Sequence, residues 1–140
     1  MLSKEIDIKI IKEVLKIIDF QNGSFIKLKM VNPADGASMV QQLLINGENV
    51  VSAYKGIRDY VIFTNKRIVS INVQGVTGKK KDYTSLPYSK ISAFSVETAG
   101  HFDLDSELEL WFSGLGKVKF EFSGNSNIVQ IGQLIGSYAL

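Results

Sequence analysis

Apolar positions in the first twenty residues recur at helical spacing. Ile10, Ile11, Val14, Leu15 and Ile18 share one face, and Lys9, Lys12, Glu13, Lys16 and Asp19 fall on the other. Gln21-Asn22-Gly23 supplies a stop, because Asn22 and Gly23 both suit the left-handed position that ends a helix. The alternation in FIKLKM, Phe25 to Met30, predicts a short strand. A second helix opens at Asn32-Pro33-Ala34-Asp35, which offers a capping side chain, a proline at the first helical position and an acid in the first turn. Met39, Val40, Leu43 and Leu44 form its apolar stripe, and Asn46-Gly47 ends it. Gly36 works against this helix, since glycine is a poor helix former.

From Glu48 onward the period shortens to two. VVSAYKG, DYVIFT and KRIVSINV are β-branched and aromatic runs separated by turns at Gly56 to Asp59 and at Asn65-Lys66. KKKDYTSL ends at Pro87, which cannot donate to a ladder, and KISAFSVET follows. In DLDSELEL the acids Asp103, Asp105, Glu107 and Glu109 alternate with Leu104, Leu108 and Leu110. In KVKFEF, Lys117, Lys119 and Glu121 alternate with Val118, Phe120 and Phe122. Directly opposed residues share a face, so Leu110 must oppose Val118 or Phe120, and either choice demands an odd-numbered loop. Gly114 and Gly116 supply the positive φ that a three-residue loop needs. If Leu110 opposes Val118, Glu109 faces Lys119 on the solvent side. After Gly124 the helical period returns: Asn125 or Ser126 is placed to cap, and Ile128, Ile131, Leu134, Ile135 and Tyr138 form the stripe. The sum is a mainly β chain of seven antiparallel strands, with a C-terminal helix plugging the open end of a curled sheet.

Composition narrows what such a chain can do. A length of 140 residues with 45% hydrophobic content suits one domain with one core. A net charge of +2 is far from the basic excess of a nucleic-acid binder. The absence of cysteine excludes disulfides, cysteine nucleophiles and thiolate metal sites, and a single histidine removes most zinc chemistry. Charges break every apolar run near the N-terminus, so neither a signal peptide nor a membrane span is expected, and the cytoplasm is the default location.

Several spaced motifs agree with one family. An acid before the first run, then YKGIRD, FTNKR, QGVTGKK, the PYSKI turn and ETAGHFDLDSEL occur in order, and from about Leu43 to the end the chain resembles the bacterial pleckstrin-homology-like (PH-like) family. The resemblance implies a PH-like split barrel over residues 32–140, preceded by an extension, residues 1–31, that the pattern does not cover. It further implies cyclic homo-oligomers, often pentameric, with a polar surface where neighbouring strands meet, protein partners, and no enzymatic activity or cofactor.

The tempting motifs read more plainly as structure. In QGVTGKKK, Gly75 and Gly78 are too close together for a phosphate-wrapping loop, and Lys80 stands where a P-loop needs a hydroxyl. A hairpin turn is the better reading. Lys55, Arg58 and the lysines 79–81 could meet an anionic lipid surface, but Asp59 opposes phosphate, and alternation turns Lys80 away from its neighbours. A lysine run on an edge strand also guards against aggregation. Asp103, Asp105 and Glu107 lie along a strand, unlike the loop ligands of an EF-hand, and read as a solvated acidic face. Arg58-Asp59 and Glu97 read as salt-bridge partners rather than a catalytic dyad, and His101 as a turn residue. Trp111 and Phe112 face opposite sides of their strand, so one of them needs cover from elsewhere. The candidate interaction surface comprises Lys55, Arg58, Asp59, Gln74, Lys79, Lys81, Glu97 and His101. No catalytic, cofactor or metal residues are assigned. The expected function is a non-enzymatic oligomeric scaffold, preferably pentameric, with an unidentified protein partner. The alternative is a peripheral membrane adaptor acting through the basic loop. The isoleucine face of residues 1–20 must pack on its own barrel or, as the reading favours, on a neighbour.

Overall fold

The structure, a computed structural model, describes residues 25–140 apart from 75, 76, 103 and 125. The helix expected over residues 1–20 lies outside the described residues. Within them the strands are β1 (Phe25–Val31), β2 (Val50–Lys55), β3 (Asp59–Thr64), β4 (Arg67–Gln74), β5 (Lys80–Pro87), β6 (Ile91–Glu97), β7 (Ser106–Phe112) and β8 (Gly116–Phe122). Helix α1 spans Pro33–Val40 and α2 spans Ile128–Ala139. The eight strands form one curled sheet in the order β5-β4-β3-β2-β1-β8-β7-β6.

The meander alone accounts for seven of these strands; β1 is the eighth, and it joins the two halves of the sheet. It runs antiparallel to β2, with Met30 opposite Tyr54, and parallel to β8, with Phe25 opposite Phe120 and Leu28 opposite Phe122. Strict alternation would put Ile26, Leu28 and Met30 on one face. Instead the register shifts between Phe25 and Leu28, where Lys27 takes the left-handed conformation at φ 53°. Such a bulge adds a residue on one strand, so Phe25 and Leu28 both point into the core while Lys27 stays outside.

The hairpin β7–β8 has the register that parity requires. Leu110 opposes Val118, Glu109 opposes Lys119 and Phe112 opposes Gly116, leaving a three-residue loop with Gly114 at φ 81° and Gly116 at φ 103°. The ion pairs run diagonally across this register: Lys119 reaches Glu107 at 3.2 Å and Lys117 reaches Glu109 at 3.7 Å. Phe112 is buried and Trp111 on the other face is half-buried.

Helix α1 starts as its sequence dictates, with Asn32 Oδ1 accepting from the Ala34 N–H at 2.9 Å and Pro33 in the first turn. It stops at Val40, where a 3₁₀ turn, Gln41–Leu43, takes over, so the helix is shorter than its apolar stripe suggests. It lies on the outer face of the sheet over Ala53, Ile62, Val69 and Ile71. Gly36 permits this seat: a Cβ there would stand 2.5 Å from Ala53 Cβ. Gly36→Ala is therefore expected to cost about 1–3 kcal/mol in overpacking against roughly 1 kcal/mol of gained helix propensity, a net loss of up to about 2 kcal/mol. Urea denaturation checks this; an unchanged or raised midpoint would show that helix and strand can separate freely.

The main core fills the inside of the curl. Tyr54, Phe63, Phe120 and Phe122 meet there, with Tyr54 edge-on to Phe122 at 4.8 Å and to Phe63 at 5.7 Å. Helix α2 closes one opening with Ile128, Ile131 and Ile135, and its Tyr138 stacks on Tyr88 at 5.7 Å. The cap expected from Ser126 is not made. Asn127, at φ 52°, is the residue before the helix and forms no side-chain cap bond. Ser126 is turned inward, its Oγ 2.8 Å from Ser106 Oγ and its carbonyl accepting from the Tyr54 hydroxyl at 2.9 Å. Burial of the Tyr54 hydroxyl inside the barrel made that polar link more urgent than a helix cap.

Candidate functional site

Two turns stand side by side at one end of the sheet. The β2–β3 turn is closed by the Gly56 N–H donating to Asp59 O at 2.7 Å, and the Val73 N–H reaches Arg58 O at 3.4 Å. Asp59 opposes Asn72, Asn72 opposes Asp82, and Gln74 opposes Lys80. Pairing therefore gathers Lys55, Arg58, Asp59, Gln74, Lys79 and Lys81 at this end. Lys55 Nζ lies 5.7 Å from the Tyr60 ring centroid. Arg58, Lys79 and Lys81 are exposed, and between Lys55 and Arg58 the tip residue Ile57 is 78% exposed. Partial burial pushes the Asp59 carboxyl up, and the neighbouring Arg58 charge opposes that shift.

The cations here do not converge. Lys81 and Tyr83 line an open cleft of about 510 Å³ shared with Ser38, Met39, Gln41 and Gln42 beside α1. Strand alternation turns Lys80 to the other face. Asp59 and Asp82 sit among the cations, so no single point accumulates the charge that would hold a polyphosphate.

Glu97 and His101 lie elsewhere. Because β1 is parallel to β8 and antiparallel to β2, the β6–β7 connection emerges at the opposite end of the sheet from the β2–β3 turn. Glu97 ends β6 opposite Glu107, and these two border a shallow hollow with Ser95 and Glu109. Lys117 and Lys119 neutralise part of this face. The hydrogen bond and charge of Glu107 raise the Lys119 pKa, which marks a surface ion pair rather than a proton donor. Among the described residues no group of three or more His, Cys, Asp or Glu could hold a metal ion. His101 is exposed, its ring edge-on to Phe102 at 5.1 Å.

One buried polar group among the described residues, visible in the sequence only as the acid before the first run, ties several elements together. Glu48 is buried before β2, and both its oxygens accept from Arg67: Nε at 2.9 Å to one and Nη2 at 2.9 Å to the other. The Thr64 hydroxyl donates to the same carboxylate at 2.7 Å and the Ile45 N–H at 3.1 Å. Arg67 also donates to the Leu43 carbonyl at 2.7 Å and to Ser85 Oγ at 2.9 Å. Burial by itself would raise the Glu48 carboxyl; the hydrogen bonds from Arg67, Thr64 and Ile45, with the Arg67 charge, outweigh it and hold the group below the usual value. The FTNKR segment is thus a structural clamp, its Thr64 and Arg67 tying the β3–β4 turn to the segment that leads from α1 into β2. Its signal was present in Thr64 and Arg67 flanking a tight turn, but their acid partner lies 19 positions upstream of Arg67.

The profile of the family described as "Bacterial PH domain" matches residues 19–139. The chain belongs to the bacterial PH domain family. This PH domain is 45% identical over 100 residues to the uncharacterized protein YjqA of Bacillus subtilis (strain 168), spanning 70% of the chain and 80% of that protein. It is 33% identical over 101 residues to uncharacterized YozO of the same organism, spanning 72% and 87%. Among solved structures it is similar to a DUF1696 family protein with a pleckstrin-homology domain from Shewanella loihica: 40% identity, TM-score 0.71, covering 82% of this chain and 99% of that one. A pleckstrin homology domain from Shewanella amazonensis matches with 43% identity and a TM-score of 0.60, covering 79% and 90%. The family match begins ahead of β1, in keeping with the central place of that strand in the PH domain.

Proposed function

We propose that this bacterial PH domain is a non-enzymatic scaffold that assembles into a cyclic homo-oligomer and presents a polar protein-interaction surface. The observation that carries the reading is the pair of sheet edges. Strands β5 and β6 lie at the two ends of the strand order, each pairing on one side only. Edge β5 is polar and exposed over its first residues, and edge β6 ends at Glu97. One edge meeting the other edge of a neighbour is a heterologous contact, and such contacts close into rings when the rotation allows. Apart from the buried Glu48–Arg67 clamp, whose donors and acceptors are used in holding the fold, the candidate residues are divided between two ends of the sheet, which supports a binding role over catalysis. Native mass spectrometry of the full chain at low micromolar concentration is expected to show one closed oligomer, a pentamer by preference. A monomer at all concentrations would sink the proposal.

A second reading rests on Ile57, exposed between Lys55 and Arg58 at the turn tip, as an apolar wedge beside cations for an anionic lipid surface. Among the described residues no helix is long and apolar enough to cross a membrane. Co-sedimentation with phosphatidylserine vesicles separates the two readings: the scaffold predicts binding that disappears at moderate salt, and salt-resistant binding lost in Ile57→Asp would favour the adaptor.

A further inference from the structure

Helix α2 does not cover the whole of the barrel opening. Between it and the ends of β1 and β2 runs an apolar groove of about 180 Å³, lined chiefly by Met30, Val31, Val51, Tyr54, Ile131 and Leu134. Met30 opposes the core residue Tyr54 in the ladder, so its side chain belongs to the inward face, yet it is 41% exposed. Val51 on the neighbouring strand is 48% exposed. Other exposed apolar residues such as Phe102, Leu104 and Leu140 lie in the β6–β7 connection or at the last described position and do not line this groove. Met30 and Val51 differ because they flank one groove that opens onto the core.

We propose that this groove receives the chain's own residues 1–20, laid in it by the face Ile10, Ile11, Val14, Leu15 and Ile18. The groove needs an apolar occupant with a polar back, and this segment alternates those two characters at helical spacing. Reach selects the chain's own segment over a neighbour's. The link Gln21–Ser24 spans at most about 14 Å before β1 begins. Met30 lies about 17 Å along β1 from Phe25. In a helix, Ile10 stands about 15 Å from Phe20, so a segment folded back along β1 brings Ile10 and Ile11 level with Met30. A tether this short gives an effective local concentration in the millimolar range, against which a neighbour's segment competes poorly. The inference does not depend on ring assembly.

The chain has no cysteine, so paired cysteines report proximity without background. In the full chain, Ile11→Cys with Met30→Cys is expected to form an intramolecular disulfide about tenfold faster than Glu13→Cys with Met30→Cys, whose first thiol lies on the opposite helix face. Equal rates, or no disulfide from either pair, would overturn the proposal. A covalent dimer from the first pair would overturn it too, by assigning the groove to a neighbour's segment. Maleimide labelling of Val51→Cys alone supplies a second reading should the paired variants fold poorly. Adding Ile11→Asp is expected to speed that labelling by about tenfold, and an unchanged rate would count against docking.

Discussion

A chain beginning at Asn32 is expected not to fold, although it retains every strand of the antiparallel meander. Removing β1 takes Phe25 and Leu28 out of the core, where they are 3% and 0% exposed. Deleting buried side chains of these types costs about 3–5 and 2–5 kcal/mol respectively, and together that approaches the whole stability of a typical domain, about 5–15 kcal/mol. The loss is larger than two side chains, because β1 is the strand between β2 and β8. Without it both strands gain a bare edge at the centre of the barrel, and the sheet falls into two pieces that share no ladder. A chain starting at Asp19, where the family match begins, is expected to unfold cooperatively in urea with a near-UV circular dichroism signal. The chain from Asn32 should show neither. A cooperative transition in the shorter chain would mean that β2–β5 and β6–β8 can pack without their bridge.

The second large effect is expected from Arg67→Ala, at about 3–5 kcal/mol of stability at pH 7. The Glu48 side chain is fully buried, and the substitution leaves its carboxylate facing only Thr64 and one backbone N–H. It also strips the Leu43 carbonyl and Ser85 of a donor. The pH dependence distinguishes this from loss of packing. In the native protein the folded pKa of Glu48 is depressed, so its stabilisation is complete above the unfolded value of about 4.3 and is lost as pH falls through the lower folded value. Without the guanidinium two of the lowering influences are gone while burial still pushes the carboxyl up, so its folded pKa rises from the native value and acidification relieves part of the penalty. Urea midpoints of both proteins at pH 7 and pH 4 should therefore converge on the acid side. A penalty equal at both values would show that Arg67 acts through its packing and its bonds to Leu43 and Ser85, not through the Glu48 charge.

What could be read from the sequence was local or governed by parity. The Asn32-Pro33 start of α1 needs only neighbouring residues, because a cap bond spans two positions. The β7–β8 register was legible because two alternating runs joined by a short glycine loop admit few pairings, and only odd loops keep both leucine and phenylalanine sets inside. The PH-like architecture followed from the order of periods together with the spaced motifs. Three features were not legible, each for a stated reason. The alternation of FIKLKM shows a strand but carries no mark of its partners, and a left-handed Lys27 moved Phe25 into the core against the simple alternation. Gly36 counted as a weakness of a helix until Ala53 lay beneath it. Glu48 was visible only as an acid ahead of the first run, without its role, because its partner Arg67 stands beyond two strands.

The candidate surface divides the same way. Lys55, Arg58, Asp59, Gln74, Lys79 and Lys81 lie at one end because every second turn of an antiparallel meander, here β2–β3 and β4–β5, emerges on the same side, which the strand order already implies. Glu97 and His101 belong to the other end, and that depends on β1 running parallel to β8 and antiparallel to β2. The sequence by itself determined the periods, the turns and the chemical types available, since these follow from side chains a few positions apart. The tertiary structure alone decided which edges joined, which charge was buried and which apolar groove α2 left uncovered. Those outcomes rest on contacts between residues far apart in the chain, where the free energy of packing, and not local preference, chooses the partner.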